Sequence, residues 1–406
     1  MSSKTKQPHY ELAQVIEQFG DAYRSTGRVP AHHLRTLQAI EQCRTAALGG
    51  HLDYCSACEQ LIRVSYNSCR NRHCPKCGGL ERELWIQARQ SELLPVTYYH
   101  VVFTIPSQLN DWCRYNPHFC YHLLFSAAWQ TLRTFAADAQ YLGASPGATM
   151  VLHTWGQNLS LHPHVHAIVP GGGLDQHQRW LSPQRQSGFL FPVQAMSVVF
   201  RAIYLKAFMN AWHKGKLILP PGQPTTNHGR IQWRRDRYRQ AWLVYAKAPF
   251  GGPQAVIEYL GRYTHKVAIS NQRIINIEDQ RVLFRYKDYR QQGQQKVMAL
   301  SAVEFLRRFC QHILPPGFRR MRHYGILSNR AKADALAAAR KALQQSPIPS
   351  PGLTKKQRKV QLIEKMLGRS IHTCPRCGSL DSIEQRPIGL LPPSRAPPKP
   401  SAHPYT

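Results

Sequence analysis

The sequence predicts a protein in which helices and strands both contribute to the fold, and two kinds of segment support this prediction. β-Branched and aromatic side chains dominate residues 97–105, and an apolar run fills residues 161–169. Both compositions are typical of strands in a protein core. Apolar side chains recur at helical spacing over residues 119–141 and 192–213, which predicts two amphipathic helices.

Similar patterns extend this mixture along the rest of the chain. Pro95 ends a predicted helix before the first strand, because a residue that precedes proline disfavours helical geometry. Pro253 begins another, since proline is tolerated in the first turn. Further helices are predicted within residues 1–48 and at residues 80–94, 302–314 and 331–343. Further strands are predicted at residues 148–157, 229–246, 267–277 and 281–286.

Two histidines, His164 and His166, stand two residues apart in the strand predicted at residues 161–169. Side chains at positions i and i+2 of a strand point to the same face. Both imidazoles can therefore reach one divalent cation, while Val165 faces the core. Pro170 and the three glycines after it end the strand. The segment thus predicts a rigid strand that carries two metal ligands.

The metal site predicted from this pair needs a third ligand from the protein, because octahedral cations take several oxygen and nitrogen ligands. Gln157, seven residues before His164, is preferred because its amide oxygen is a hard ligand. His153 and His162 are the alternatives, and His162 follows the same alternation as the pair.

Two tyrosines, Tyr259 and Tyr263, lie four residues apart in the helix predicted after Pro253. That spacing puts both phenols on one face of a helix, one turn apart. A metal-binding strand and a pair of phenols together provide the metal ligands and the nucleophiles for cleavage of DNA through a phosphotyrosine. Arg262 and Lys266 lie beside the phenols and are expected to bind phosphate or to lower a phenol pKa. The alternative is that the phenols only pack in the core.

Four cysteines in two C-x-x-C pairs, Cys55 with Cys58 and Cys74 with Cys77, predict a tetrahedral Zn²⁺ site. Cys69 or His73 could replace one of the four. Two arginines between the pairs are expected to contact phosphate: Arg70 and Arg72. A third pair near the end of the chain, Cys374 with Cys377, could share a metal with His372 or be redundant.

The chain is strongly basic, with 53 Lys and Arg against 22 Asp and Glu and a net charge of +31. Nucleic acid is therefore the expected partner. Arg234 and Arg235 alternate with aromatic residues in the strand predicted at residues 229–246, a mixture that suits contact with single-stranded DNA. Met1–Tyr10 lacks a signal peptide and no run approaches 18 apolar residues, so a cytoplasmic protein without a membrane span is expected.

Four segments resemble, in sequence and in order, the two-tyrosine HUH transposases of rolling-circle insertion sequences, the insertion-sequence-91 type: SCRNRHCPKC, HTWGQNLSLHPHVHAIVPGG, EYLGRYTHKVAIS and LPPGFRRMRHYGILSNR. The resemblance implies the α+β class, with an HUH endonuclease-type central antiparallel sheet and packed helices. An N-terminal helical and zinc-ribbon module at residues 1–94 would precede a catalytic domain at residues 95–330. Beyond the resemblance, the composition of residues 331–406 predicts a basic helix and a tail with a C-x-x-C pair, disordered from residue 387 onwards because of its many prolines.

The resemblance also implies the chemistry. Mg²⁺ or Mn²⁺ held by His164 and His166 would polarise a DNA phosphate, and Tyr259 or Tyr263 would attack it, leaving a 5′-phosphotyrosine and a free 3′-hydroxyl. Such a protein nicks and joins single-stranded DNA at the ends of an insertion sequence and would be associated with the nucleoid. Two alternatives are a relaxase or replication-initiation nuclease and a non-catalytic zinc-containing DNA-binding protein. The sequence contains no G-x-x-x-x-G-K-[ST] motif, which favours a stand-alone transposase.

Overall fold

The computed structural model describes residues 8–184, 190–247, 255–256, 259, 261, 266–346 and 352–388. Its labelled helices are α1 (Leu12–Arg24), α2 (Ala31–Glu41), α3 (Gly79–Gln90), α4 (Asn110–Tyr115), α5 (Pro117–Ala137), α6 (Val193–His213), α7 (Asn227–Arg239), α8 (Ala302–Cys310), α9 (Lys332–Ala342) and α10 (Lys355–Leu367). Its strands are β1 (Gly50–Cys55), β2 (Gln60–Tyr66), β3 (Tyr98–Thr104), β4 (Gly147–Trp155), β5 (Leu161–Pro170), β6 (Gly173–Leu174), β7 (Trp180–Leu181), β8 (Leu243–Lys247), β9 (Ile274–Glu278), β10 (Arg281–Asp288), β11 (Gln294–Ser301), β12 (Met321–Gly325) and β13 (Ile383–Ile388).

A five-stranded antiparallel sheet lies at the centre of the molecule, in the order β12-β4-β5-β3-β8. Its three middle strands coincide with the strands predicted at residues 97–105, 148–157 and 161–169, and the α+β class is confirmed. The short connection between β4 and β5 fixes their register, in which His153 lies directly opposite His164. Residues that are opposite in an antiparallel pair share a face of the sheet, so the register decides which side chains meet.

The two faces of the central sheet have different roles. Phe103, Leu152 and Val165 point to one face and pack with helices α4, α5 and α6 in the largest apolar core. Burial of one such side chain is worth about 1.5–3 kcal/mol, so this face holds the three middle strands rigidly. The alternating residues of the same strands point to the other face, where the histidines of β4 and β5 lie. No helix that the structure describes combines the length and the apolar character needed to span a bilayer.

A second core joins the first two helices to the late part of the chain. Leu12, Ile16 and Leu37 from α1 and α2 pack against Phe305 and Phe309 of α8 and against the three-stranded sheet β9-β10-β11. The ribbon β1-β2 is completed by β13, so the segment after residue 331 is part of a sheet with the N-terminal module. The disorder predicted from residue 387 does not include Pro387 and Ile388, which are in β13, and residues 389–406 lie outside the described part of the chain.

The strand predicted at residues 229–246 is wrong for its first half, which is helix α7. Thr226 caps this helix, accepting a hydrogen bond from the Gly229 amide at 3.1 Å. The alternation of cations and aromatic rings has helical spacing, because each guanidinium stacks four residues from its ring: Arg237 lies over Trp233, and Arg234 lies over Tyr238. Trp233 is buried in the main core, so it is not a stacking surface for a DNA base.

Candidate metal and nucleophile site

Three histidines come together on the second face of the central sheet, opposite the main core: His153, His164 and His166. One ring nitrogen from each lies within 4.8 Å of the others. β5 supplies two of them at positions i and i+2, as the sequence predicts, and β4 supplies His153 through its register with His164. Three imidazoles at this separation can bind a single divalent cation. Nitrogen ligands are softer than carboxylates, so this set favours a transition ion such as Mn²⁺ over Mg²⁺.

The hydrogen bonds of His164 and His166 prepare both rings for metal binding. Nδ1 of His164 lies 2.6 Å from the carbonyl oxygen of His162, so Nδ1–H donates to it and Nε2 is left for a metal. Nδ1 of His166 is 2.9 Å from Nε2 of His100. Burial lowers the pKa of His164 to about 4, and burial followed by the neighbouring histidines lowers the pKa of His166 well below its usual value. Both rings are therefore neutral at pH 7, which is the form that binds metal.

The third member of this group is His153, whereas the sequence favours Gln157 as the third ligand. Gln157 lies in the loop beyond the end of β4, where its carbonyl oxygen accepts a hydrogen bond from Arg273. Its neighbours Asn158 and Ser160 line a separate cavity together with Tyr286. The sequence analysis prefers Gln157 to His153 because a count of residues back from His164 ignores the strand pairing. Counting across the β4–β5 turn would have put His153 opposite His164.

Tyr259 approaches the histidine group through a fourth histidine. Its hydroxyl oxygen is 3.3 Å from Nδ1 of His100, and the two ring centroids are 4.7 Å apart. The His100 ring in turn stacks on His166 with 5.1 Å between centroids. Tyr259 and the helical residue Val256 pack with Tyr98 and Ile168 on this second face of the sheet. Tyr263 and Arg262 lie outside the described residues.

The sequence analysis does not identify His100, although a usable indication is present. His100 is in β3, which pairs with β5 along its whole length, and Val102 is the residue opposite His166. Residues two apart in a strand share a face, so His100 must point to the same side as His166. A polar residue on a strand otherwise made of apolar and aromatic side chains is the pattern that could have indicated it.

A positive charge, that of Lys266, lies on one side of the histidine group. The ammonium group of Lys266 is close enough to contribute to the lowered pKa values of His164 and His166. Desolvation, and then the charges of Arg273 and Lys287, lower the pKa of Lys266 itself. Arg320 donates a hydrogen bond to the Lys266 carbonyl at 2.9 Å and so holds the backbone at this position. This side of the site is therefore suited to an anion such as a phosphate.

The four cysteines that the sequence assigns to one zinc site belong to two separate clusters. Cys74 and Cys77 meet Cys43 and Cys69, with Sγ–Sγ distances of 3.5 Å from Cys77 to Cys43 and 3.6 Å from Cys77 to Cys69. A tetrahedral Zn²⁺ with bonds of 2.3 Å separates its sulfurs by about 3.8 Å, so this cluster fits zinc. His73 instead accepts a hydrogen bond from the Leu314 amide at 3.4 Å through Nε2.

Cys55 and Cys58 lie at the other end of the β1-β2 ribbon and meet Cys374 and Cys377. The single site predicted from the sequence is wrong because the ribbon separates the two C-x-x-C pairs. The missing ligands of the first cluster are Cys43, just after helix α2, and Cys69, after β2; those of the second cluster, Cys374 and Cys377, come from the C-terminal segment. His372 is not part of either group; its Nδ1 lies 3.9 Å from Asp381.

The predicted DNA-contacting arginines lie in two places. Arg70 and Arg72 line a groove of about 870 Å³ between the first cysteine cluster and helix α10. Arg72 also donates to the Phe318 carbonyl at 2.6 Å, which gives it a structural role. Arg234 and Arg235 are exposed on α7.

Four further cations line the groove: Arg44, Lys76, Lys355 and Lys359.

Comparison with known proteins identifies the family. A family model described as "Transposase zinc-binding domain" matches residues 15–105, and one described as "Putative transposase" matches residues 147–334. The chain is 44% identical over 382 residues to "Putative transposase y4qJ" of Sinorhizobium fredii, covering 92% of this chain and 95% of that protein. It is 29% identical over 353 residues to "Transposase for insertion sequence element IS801" of Pseudomonas savastanoi pv. phaseolicola, covering 85% and 82%. No solved structure matches the chain. The chain belongs to the DNA transposases of the insertion-sequence-91 type.

Proposed function

We propose that this transposase nicks and joins single-stranded DNA at the ends of an insertion sequence through a 5′-phosphotyrosine intermediate. Tyr259 or Tyr263 is the nucleophile, and His153, His164 and His166 hold Mg²⁺ or Mn²⁺. The observation that carries the proposal is the continuous contact from the Tyr259 hydroxyl through His100 to His166. It supports a common task for the phenol and the imidazole group.

A cation held by His153, His164 and His166 would supply Lewis acidity that stabilises charge on the non-bridging oxygens of the scissile phosphate. The protein's contribution is to place a phenol oxygen in line with that phosphate. The phenol oxygen then forms a bond to phosphorus while the bond from phosphorus to the 3′ oxygen breaks. The phenol proton passes to solvent and the departing 3′ oxygen takes one up. The energy of the phosphodiester is kept in the tyrosine ester, so joining needs no ATP.

In this scheme the hydrogen bonds of His100 determine which of its two ring nitrogens carries the proton. If Nε2 of His166 binds metal, its Nδ1 must carry the proton and donate to Nε2 of His100. A neutral His100 then carries its own proton on Nδ1, which is 3.3 Å from the Tyr259 oxygen, while Nε2 is 3.5 Å from it. His100 is thus a donor that stabilises the developing phenolate. It is not the base that removes the phenol proton.

Exposed residues on the histidine-bearing face support a path for the DNA strand. Tyr245 and Leu243 of β8 lie on this face, two strands away from β5, and have exposed side chains. An exposed aromatic ring is a surface on which a base of single-stranded DNA can stack. Lys266 provides a cation beside the same histidines. Together they support a stacking surface and a phosphate contact on the same face as the proposed nucleophile.

Two tyrosines one turn apart would permit two successive transfers, as the joining of two DNA ends requires. One phenol holds the first cleaved end while the other attacks the next strand. This chemistry is shared with relaxases and replication-initiation nucleases. Rejoining of two different oligonucleotides, each with one element end, separates a transposase from those enzymes.

The test is incubation of the protein with a labelled single-stranded oligonucleotide of an element end and Mn²⁺, followed by denaturing electrophoresis. We expect a covalent protein–DNA band that disappears when Tyr259 and Tyr263 are both replaced by Phe, while binding to the same oligonucleotide survives. Binding without any covalent band in the unaltered protein would instead support a non-catalytic DNA-binding protein.

A further inference from the structure

The C-terminal segment of the chain is built into a sheet that begins more than 300 residues earlier. β13 pairs with β1 along its full length, from Gly50 opposite Ile388 to Cys55 opposite Ile383. Beyond the last pair, the Ser56 amide donates to the Ser382 carbonyl at 2.8 Å. This pairing brings the turn that contains Cys374 and Cys377 against the turn between β1 and β2.

The sulfurs of the two turns have the spacing of a tetrathiolate metal site. Sγ of Cys55 lies 3.8 Å from Sγ of Cys377, and Sγ of Cys58 lies 3.9 Å from Sγ of Cys374. These distances match the separation of about 3.8 Å expected around tetrahedral zinc and are far longer than a disulfide bond, about 2.05 Å. All four cysteines are free thiols in the structure.

The surroundings of the sulfurs also fit a metal. The Arg376 amide points at Sγ of Cys374 with a distance of 3.4 Å, as amides do in the tight turn of a zinc knuckle. The Ser382 hydroxyl lies 3.3 Å from Sγ of Cys55. Cys55 and Cys374 are buried, while Cys377 is exposed at the edge. Hydrogen bonds of this kind hold thiolate ligands in place around an ion.

The sheet β13-β1-β2 has little apolar core of its own. Leu61, Val64 and Tyr66 of β2 are exposed. The one buried acidic residue, Asp53, is satisfied by Arg63 at 2.8 Å and by Gln385 at 3.2 Å, which are polar contacts. A three-stranded sheet without a hydrophobic face is marginal in water, and a structural metal is a common way to stabilise such a small unit.

We infer that Cys55, Cys58, Cys374 and Cys377 bind a second Zn²⁺, which fastens the C-terminal segment to the β1-β2 ribbon. The two matched family regions end at residues 105 and 334, so this site joins residues inside one of them to residues beyond both. The site also affects the position of helix α10, because this helix belongs to the same C-terminal segment. Helix α10 lies against α3. Lys355 of α10 forms an ion pair with Glu81 of α3 at 3.7 Å.

The inference is tested by measuring the zinc content of the full-length protein after exhaustive dialysis. We expect one zinc ion fewer per chain in Cys377→Ser than in the unaltered protein, and recovery of that ion in Cys377→His, since histidine also binds zinc. Cys377 is exposed, so its replacement leaves no cavity. Cys69→Ser should also lose one ion, and the double variant Cys69→Ser/Cys377→Ser should lose two.

A second measurement, the absorption spectrum of the cobalt-substituted protein, reports on the metal site even if a variant folds less well. Replacement of zinc by Co²⁺ should give sulfur-to-cobalt absorption of two tetrathiolate sites in the unaltered protein and of one in Cys377→Ser. Equal zinc contents and equal cobalt spectra in the unaltered protein and Cys377→Ser would overturn the inference. So would reaction of Cys374 and Cys377 with a thiol reagent at the rate of free cysteines in the zinc-loaded protein.

Discussion

The hydroxyl oxygen of Tyr259 lies 3.3 Å from Nδ1 of His100, at the point where the tyrosine-bearing helical residues meet the central sheet. The other nitrogen of His100 faces His166 at 2.9 Å. One imidazole therefore separates the proposed nucleophile from a proposed metal ligand. Tyr259 belongs to a helix and His166 to a strand about a hundred residues earlier in the chain. The fold is therefore needed to bring the phenol and the proposed metal ligand together.

Replacement of His100 by Ala should slow formation of the covalent DNA adduct by about 10–100-fold, the usual cost of losing a residue that orients a metal ligand. The reason is that His166 would lose a hydrogen-bond partner and Tyr259 would lose its donor. Affinity for Mn²⁺, measured by titration, should fall with the rate. The matched control is His177→Ala, because His177 is an exposed histidine between β6 and β7. An unaltered rate in His100→Ala would contradict the role.

Replacement of His153 by Ala should abolish metal-dependent cleavage, while Gln157→Ala should retain it. The structure places the His153 ring among the ligand nitrogens and Gln157 in another cavity. Isothermal titration with Mn²⁺ in the absence of DNA separates metal binding from catalysis. Loss of metal binding in Gln157→Ala, together with retention of metal binding in His153→Ala, would show that Gln157 is the third ligand and His153 is not.

Replacement of Lys355 and Lys359 by Ala should weaken DNA binding and reduce its dependence on salt. Each phosphate contact contributes about 0.7–0.9 to the slope of log K against log salt, so the double variant should lose about 1.4–1.8. Arg70→Ala should have a similar effect per charge, because it lines the same groove. Lys206→Ala, an exposed lysine of α6, is the control. Equal slopes of log K against log salt for all these proteins would show that the groove does not contact DNA.

Replacement of Cys43 by Ser should release the zinc of the first cluster and destabilise the packing of α1 and α2. Cys43 is fully buried and its sulfur is 3.5 Å from that of Cys77. Loss of a structural zinc removes folding free energy directly. Thermal unfolding followed by circular dichroism, together with zinc analysis, measures both effects. A full zinc content in Cys43→Ser would show that Cys69, Cys74 and Cys77 suffice.

Local patterns predicted the parts of the site that depend on local geometry. His164 and His166 share a face because strand alternation acts over two residues, and that spacing is visible in the sequence. His153 and His100 come from neighbouring strands, and their positions depend on register, which sequence spacing alone does not give. The strand order β4-β5-β3 places both of them beside the pair.

The cysteine clusters show the same limit at longer range. A C-x-x-C pair predicts half of a site, but its partner is chosen by the fold. Cys43 is a lone cysteine in the sequence, and Cys374 is more than 300 residues from Cys55. The sequence analysis predicts a strand where helix α7 lies, because it gives the alternating Arg and aromatic residues the two-residue period of a strand. Their stacking at positions i and i+4 follows the period of a helix.

The most direct test of the proposed chemistry is identification of the residue that becomes attached to DNA. The protein should be incubated with a single-stranded element end and Mn²⁺, digested, and analysed by mass spectrometry. The proposal predicts a nucleotide on Tyr259 or Tyr263, and no adduct in His166→Ala. Cleavage that persists in the Tyr259→Phe/Tyr263→Phe double variant, or that proceeds with water and leaves no adduct on the protein, would contradict it.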